Sequence, residues 1–259
     1  MHLKGTLVEE DVIDVVLAGN PNVGKTAVFN ALTGLHQKTG NWPGVTIEKK
    51  EGVFSCGSTK ARVVDLPGIY GLNAFSLDER ISRDYLVSSR PDLVLSIIDS
   101  TNLQRNLYLT LELIEMGVNV VVVLNMQDEL EAQGISIDTE GMTRTLGSPV
   151  LLISALKRTG IQELKSEIIK NGKEGLPKTE RKFHDQRIEE ALRKIESLIS
   201  LSEMGDKLNA RWLSIKLIER DPEYRLILEK ASAGIKSAVD QIISDLEKSV
   251  GDASVAIAQ

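Results

Sequence analysis

A single cysteine, Cys56, leaves no partner for an internal disulfide and fits a reducing compartment. The histidines are few and scattered: His2, His36 and His184 form no metal-ligand spacing. Long apolar runs are absent too. The longest largely apolar stretch, Val118 to Leu124 with Asn119 inside it, has the length of a buried strand and falls far short of the ~18 residues of a membrane span. The opening residues 1–12 lack the continuous apolar core of a secretory signal. Basic charge is in deficit as well, with a formal net charge of −6. No general positive field therefore draws the chain to nucleic acid, and no basic, glycine-rich or aromatic RNA-binding module is visible.

What is present is alternation. Over the first ~170 residues, short β-branched runs alternate with helical stretches, the pattern of an α/β sheet domain. Val12–Leu17 reads as the first strand, followed by a glycine-rich turn and a helix containing Val28, Phe29 and Leu32. Val45–Phe54 and Ala61–Asp65 read as a hairpin around Cys56-Gly57-Ser58. Leu93–Asp99, Val118–Leu124 and Val150–Ser154 read as further strands, with helices over Leu103–Met116 and Ile161–Ile169. The polar stretch from Asn171 to Pro177 reads as a linker. Beyond it only helical spacing remains, in Ile188, Leu192, Ile195 and Ile199 and again in Ile235, Val239, Ile242 and Leu246. Asp221-Pro222 predicts an N-cap with proline in the first turn. The expected domains are a nucleotide-binding one over 1–172, a helical one over 178–251, and residues 252–259 as the uncapped start of a truncated continuation.

Four motifs carry chemistry. Gly19, Asn20, Pro21, Asn22, Val23, Gly24, Lys25 and Thr26, with Ala27 next, match the phosphate-loop pattern between a strand and a helix. Glycines let successive N–H groups turn towards phosphate at the positive end of a helix. Lys25 would reach the terminal phosphates of a nucleotide, and the Thr26 hydroxyl would bind Mg²⁺. Asp65-Leu66-Pro67-Gly68 follows a strand; its carboxylate would hold the magnesium through water, and its Gly68 N–H would sense the γ-phosphate. Asn125-Met126-Gln127-Asp128 matches a guanine-reading motif, because a carboxylate accepts from two donors that adenine lacks. Ser154-Ala155 would supply a backbone contact to the base. Two positions depart from the commonest pattern. Ile69 stands where many GTPases place a water-orienting glutamine. Asn22 offers a carbonyl to a monovalent cation between the phosphates, or else serves only the turn.

Gly40-Asn41-Trp42-Pro43-Gly44-Val45-Thr46, Asp65-Leu66-Pro67-Gly68-Ile69-Tyr70, Arg83-Asp84-Tyr85-Leu86 and the run from Arg105 to Leu111 together resemble the ferrous iron transport protein B family over about residues 12–170. The helical segment is similar in position and length to that family's guanine-nucleotide-dissociation-inhibitor domain. The resemblance implies an α/β, Ras-like P-loop GTPase domain followed by a small all-α bundle. It also implies a membrane transport domain of the same protein as partner, at the cytoplasmic face of the membrane. Thr46 would bind Mg²⁺ only in the triphosphate state, and Asn22 would ligate an activating K⁺ together with carbonyls near Asn41–Gly44. Lys25, Thr46, Gly68 and Asn22 are then the candidate catalytic residues. Asp78 and Glu79 resemble acidic residues that assist hydrolysis, yet Ser76-Leu77-Asp78-Glu79 is also a capping box, which is the reading preferred. Met126 replaces a common lysine and keeps only the apolar contact with the base. The pattern leaves room for a homo-oligomer. The main expectation is a K⁺-stimulated GTPase that regulates iron uptake. The alternatives are a soluble GTPase of the ribosome-assembly or tRNA-modification type and a nucleotide sensor that does not hydrolyse.

Overall fold

The computed structural model describes residues 12–34, 36–73, 75–176, 183–201 and 209–257. The opening segment with His2, the Pro177 end of the expected linker and the last two residues of the tail lie outside them. The described residues divide into two compact units. Residues 12–114 and 118–176 form the first; residues 115–117, 183–201 and 209–257 form the second.

The first unit is built on a seven-stranded sheet of order β2-β3-β4-β1-β5-β6-β7. Its strands are β1 (Val12–Gly19), β2 (Gln37–Asn41), β3 (Glu48–Cys56), β4 (Thr59–Asp65), β5 (Leu93–Asp99), β6 (Val120–Asn125) and β7 (Val150–Leu152). Neighbours from β4 to β7 run parallel, and β3 is antiparallel to both β2 and β4. Around it lie α1 (Lys25–Thr33), α2 (Leu77–Ser89), α3 (Leu103–Glu115), α4 (Gln127–Gln133), α5 (Thr139–Leu146) and α6 (Ile161–Glu174). This is the α/β arrangement with one antiparallel strand that the sequence implies. β5 and β6 are apolar on both faces because helices cover both sides. Ile13, Val15 and Leu17 join Leu95, Ile97, Val121 and Val123 in a core closed by Phe29 and Leu32 of α1 and by Leu164 and Ile168 of α6.

Several elements differ from expectation. β2 was not anticipated, since Gln37-Lys38-Thr39-Gly40-Asn41 has no apolar pattern; it forms by pairing with the free edge of β3, Gln37 against Gly52 through Asn41 against Glu48. The hairpin starts at Glu48 rather than Val45, and its turn is Gly57-Ser58 alone because Cys56 pairs with Thr59. α6 continues through Asn171, Gly172, Lys173 and Glu174, all read above as linker. Asn171 is buried there, and its amide donates to the Glu167 carbonyl and carboxylate, both at 2.8 Å, so a residue read as turn chemistry is helical.

The second unit contains α7 (Gln186–Ser200), α8 (Ala210–Ile218), α9 (Pro222–Glu229), α10 (Ala233–Val250) and α11 (Ala253–Ile257). Ile188, Leu192, Ile195 and Ile199 are all buried, as their spacing predicts. On α10 the buried stripe is Val239, Ile243 and Leu246, with Ile242 only half-buried at the rim. Asp221 caps α9 by accepting from Glu223 N at 2.9 Å, with Pro222 in the first turn. The tail is not uncapped: Asp252 accepts from Ser254 N at 3.0 Å, and Ala253 and Ile257 of α11 are buried. Charged residues inside this unit are paired. Arg211 bridges Glu189 (2.9 Å), Glu115 (3.3 Å) and Glu196 (3.4 Å), and His184 Nε2 meets Glu115 at 2.7 Å. Lys216, fully buried, reaches Glu219 at 2.7 Å and lies over the Trp212 ring. Among the described residues no helix is long and apolar enough to cross a membrane.

Candidate functional site

Parallel strands deliver their carboxyl ends to one edge of the sheet, where an open α/β sheet characteristically binds its ligand. Here that edge gathers Gly19 at the end of β1, Asp65 of β4, Asp99 of β5, Asn125 of β6 and the loop after β7. Four of these are sequence-predicted positions. The fifth, Asp99, was missed, although an acidic residue ending a buried strand was the signal available. Burial pushes the Asp99 carboxyl up, but the Thr101 hydroxyl and N–H and the Asn102 amide outweigh it and hold the group below its ordinary range.

The loop from Gly19 to Gly24 folds into the first turn of α1. Asn22 and Gly24 both adopt left-handed backbone, at φ 69° and 80°. At Gly24 a β-carbon would lie 2.3 Å from Asn125 Nδ2, so only glycine lets the loop approach β6. Asn125 in turn donates to the Val23 carbonyl (3.1 Å) and accepts from Ala155 N (3.0 Å). Its buried carboxamide is thus committed at both ends to tying the phosphate loop to the Ser154-Ala155 turn. Lys25 Nζ and Asp65 Oδ1 form an ion pair at 2.5 Å, both side chains nearly buried, so two charges predicted from separate motifs face one another. The Thr26 and Ala27 side chains and the Asn22 carboxamide are exposed at the mouth of this loop.

Asp128 opens α4 behind Met126, whose own φ is 69°. The buried Ser154 hydroxyl, aided by the Lys157 charge, holds the Asp128 carboxyl below its usual range. Ser154 is itself fixed by paired backbone bonds with Thr159 and by accepting from Lys157 N at 3.1 Å. The result is an ionised acceptor at the strand edge beside a short turn of backbone N–H groups.

The segment carrying Thr46 leaves the edge. Thr46 is exposed and makes no hydrogen bond to Lys25, Thr26 or Asp65, whereas its neighbour Trp42 is buried against Tyr85 of α2 with ring centroids 5.0 Å apart. Lys49 lies over both rings. Gly68 and Ile69 run beside the phosphate loop, with Ile69 N donating to the Gly19 carbonyl at 3.2 Å, and the Ile69 side chain is buried. Beyond them Glu112 of α3, a buried carboxylate absent from the sequence reading, accepts from Leu72 N at 2.8 Å. Glu79 is occupied by the predicted capping box, bonding Ser76 N and Phe75 N while Ser76 Oγ accepts from Glu79 N.

The donor set suits hard cations that share their shell with a ligand. Asp65 and Thr26 offer oxygen at adjoining positions, and among the described residues no cluster of three or more His, Cys, Asp or Glu is placed to hold a metal unaided. That is the pattern of Mg²⁺ sites completed by phosphate oxygens and water. Asn22 adds a neutral amide oxygen, which fits a monovalent ion better than a divalent one.

Known proteins resemble the chain along nearly its whole length. The family model described as ferrous iron transport protein B matches residues 13–168, and that described as the FeoB cytosolic helical domain matches 184–259. The Fe(2+) transporter FeoB of Methanocaldococcus jannaschii is 44% identical over 248 residues, covering 95% of this chain and 37% of the relative. The Escherichia coli K12 transporter is 37% identical over 240 residues, covering 91% of this chain and 30% of the relative. The chain therefore spans about a third of the length of these relatives. Among solved structures, a GDP-bound point mutant of the S. thermophilus FeoB G-domain aligns with a TM-score of 0.86 at 37% identity, covering 95% of this chain and 94% of that one. The apo cytosolic domain of the T. maritima FeoB iron transporter aligns with a TM-score of 0.79 at 33% identity, covering 92% and 98%.

Proposed function

This chain belongs to the ferrous iron transport protein B family, and from that premise we propose that it binds GTP and GDP and hydrolyses GTP, regulating a membrane domain that carries ferrous iron. The observation that supports this most directly is the convergence at one sheet edge. The Lys25–Asp65 pair, the Asn125 tie between the phosphate loop and Ala155, and the Asp128 carboxylate held by Ser154 all lie there. In this reading the loop N–H groups from Asn20 to Thr26 cradle the phosphates, and Lys25 turns from Asp65 to the β- and γ-phosphates. Asp128 accepts from the base, and Ala155 N–H and the Met126 side chain border it. The Gly68 N–H answers to the γ-phosphate, and Thr46 moves in from the exposed loop to the metal. Thr26, Thr46 and Asp65 would hold Mg²⁺ and Asn22 would hold K⁺, and such ions would supply positive charge to the phosphate oxygens.

Because Ile69 can neither donate nor accept at the water-orienting position, the monovalent cation is the expected replacement for part of the ~10³–10⁵ in rate that an arginine finger contributes. A loose cage of carbonyl oxygens suits K⁺, the larger and more easily dehydrated ion. Single-turnover GTP hydrolysis is expected to run faster in KCl than in NaCl at equal ionic strength. In Asn22→Ala that difference should collapse while GDP affinity stays close to the parent's. A parent inert in both salts removes the GTPase reading. A parent equally active in both removes the K⁺ role and returns Asn22 to turn chemistry.

A further inference from the structure

Asn20 is 3% exposed, and neither its Nδ2 nor its Oδ1 meets a hydrogen-bond partner. Each buried polar group left this way costs ~1–3 kcal/mol, and an apolar residue of the same shape would remove the cost. A carboxamide without a protein partner at such a position points to another arrangement in which it is engaged.

Its surroundings identify the partner. Alternation along β1 sends Ile13, Val15 and Leu17 to the face closed by α1 and α6, and sends Asp14, Val16 and Ala18 to the other. On that other face Ala18 is level with Ser96 of β5, whose hydroxyl bonds Thr110 of α3 at 2.8 Å. α2 closes the same face, with Tyr85 and Ser89 against Val16 and Val64. Asn20 follows β1 directly, and the Gly68–Ile69 loop runs beside the residues on either side of it. Ile69 N donates to Gly19 O, and a β-carbon at Gly68 would stand 3.1 Å from Pro21 Cα.

We infer that Asn20 is a positioning residue that takes over the Gly68–Ile69 peptide when the γ-phosphate draws the Gly68 N–H towards itself. The peptide then leaves the Gly19 carbonyl, and the Asn20 carboxamide becomes its new partner. The loop is thereby held in its hydrolytic arrangement by a side chain directly after β1, at a site where Ile69 contributes no polar atom. This inference rests on the GTP-hydrolysing reading above.

The test uses Asn20→Leu, which keeps the branching and removes the polar atoms. GDP affinity and KM for GTP should stay within about threefold of the parent, while the single-turnover rate falls by about tenfold or more, the worth of ~1.4 kcal/mol of transition-state stabilisation. The melting temperature without nucleotide should hold or rise, since an unpaired amide has been removed. Asn20→Ser, which retains a donor and acceptor, should recover part of the rate and supplies the same readouts should the leucine variant fail to fold. A full rate in Asn20→Leu overturns the inference. So does a lowered melting temperature with an unchanged rate, which would mean that trapped water already serves the amide. A parent that hydrolyses no GTP overturns the underlying reading instead, and is told apart by needing no variant.

Discussion

The two units differ in whether every buried polar group has a partner. In the first, the buried side-chain atoms without a partner among the described residues are Asn20 Nδ2 and Oδ1, Trp42 Nε1, and the hydroxyls of Ser82, Ser100 and Ser148. Asn20 lies in the phosphate loop, Trp42 in the loop that carries Thr46, and Ser82 on the helix that follows Asp65-Leu66-Pro67-Gly68. In the second unit, deeply buried charges are matched: Glu189 and Glu115 by Arg211, and Lys216 by Glu219. Unsatisfied groups are tolerated where more than one arrangement has to be reachable, and a fully paired network holds a single one. The first unit is thus built to change, the second to stay as it is.

The largest effect expected is on the base. Asp128→Asn keeps the shape and turns one acceptor into a donor, so two charge-assisted bonds to guanine are lost, worth ~10²–10⁴ in affinity. Xanthine nucleotides, with a carbonyl where guanine has an amine, should bind the variant instead. Titration of a fluorescent GDP and XDP analogue checks this, and unchanged guanine affinity would remove Asp128 from the base site. The unfolding of the second unit should be indifferent to this substitution.

The converse substitution is Arg211→Met. It strands Glu189, whose side chain is 3% exposed, and breaking a buried pair of this kind typically costs ~3–5 kcal/mol. The two tryptophans, Trp42 and Trp212, lie one in each unit, so a Trp42→Phe background makes fluorescence a probe of the second alone. Denaturant unfolding followed there should shift strongly, while GDP affinity stays put. A parallel loss of GDP binding would break the division between a changing unit and a fixed one.

Acid sharpens the same point. Burial pushes the Glu189 carboxyl up, but the hydrogen bonds and charge of Arg211 outweigh it, and the folded group sits below its ordinary range. A depressed carboxyl contributes stability that is present above its unfolded pKa of about 4.3 and is lost as pH falls through the lower folded value. The second unit should therefore hold its stability from neutral pH to about pH 5 and lose it progressively below about pH 4. In Arg211→Met the upward push of burial is opposed only by His184, whose backbone N–H bonds the carboxylate at 3.3 Å and whose charge lies near it. The loss of stability in acid should therefore shrink or reverse in that variant, and a parallel pair of pH curves would dismiss Glu189 as the titrating group.

Legibility followed the same division. The phosphate loop, the Asp65 and Asp128 motifs and the Ser154-Ala155 turn were readable because their chemistry fixes residue type and spacing together. β5 and β6 were readable because strands buried on both faces must be continuously apolar. β2 was not, since an edge strand of polar residues is specified by its partner's free edge. Asn171 misled because an amide that favours turns can also bond back along a helix. The pairing of Lys25 with Asp65, the commitment of Asn125 at both ends, and the clasp of Arg211 on three carboxylates depend on residues 40, 30, 102 and 96 positions apart meeting in space. No local pattern encodes such meetings. Helical spacing found the α7 stripe, yet placed Ile242 rather than Ile243 at the α10 interior, because a one-residue turn of a helix changes which of two adjacent isoleucines faces inward.

The smallest effect is the most discriminating, because it applies one chemistry to both units. Ser76 caps α2 by accepting from Glu79 N at 3.2 Å, and Asp221 caps α9 by accepting from Glu223 N at 2.9 Å. Removing either cap by substitution to alanine costs ~1 kcal/mol of stability. For Asp221→Ala the cost should appear as a small loss in unfolding free energy and nothing else, because α9 belongs to the unit whose charges are already paired. Ser76→Ala also releases Glu79, whose carboxylate now bonds Ser76 N and Phe75 N and fixes the approach to α2 from the Gly68 loop. Loosening that approach should alter single-turnover GTP hydrolysis by about threefold to tenfold, beyond what the shared loss of ~1 kcal/mol explains. Measuring unfolding and turnover for both variants separates the cases. If Ser76→Ala leaves turnover where Asp221→Ala leaves it, the loop and α2 do not move as the unpaired groups beneath them imply, and the contrast between the units is one of composition alone.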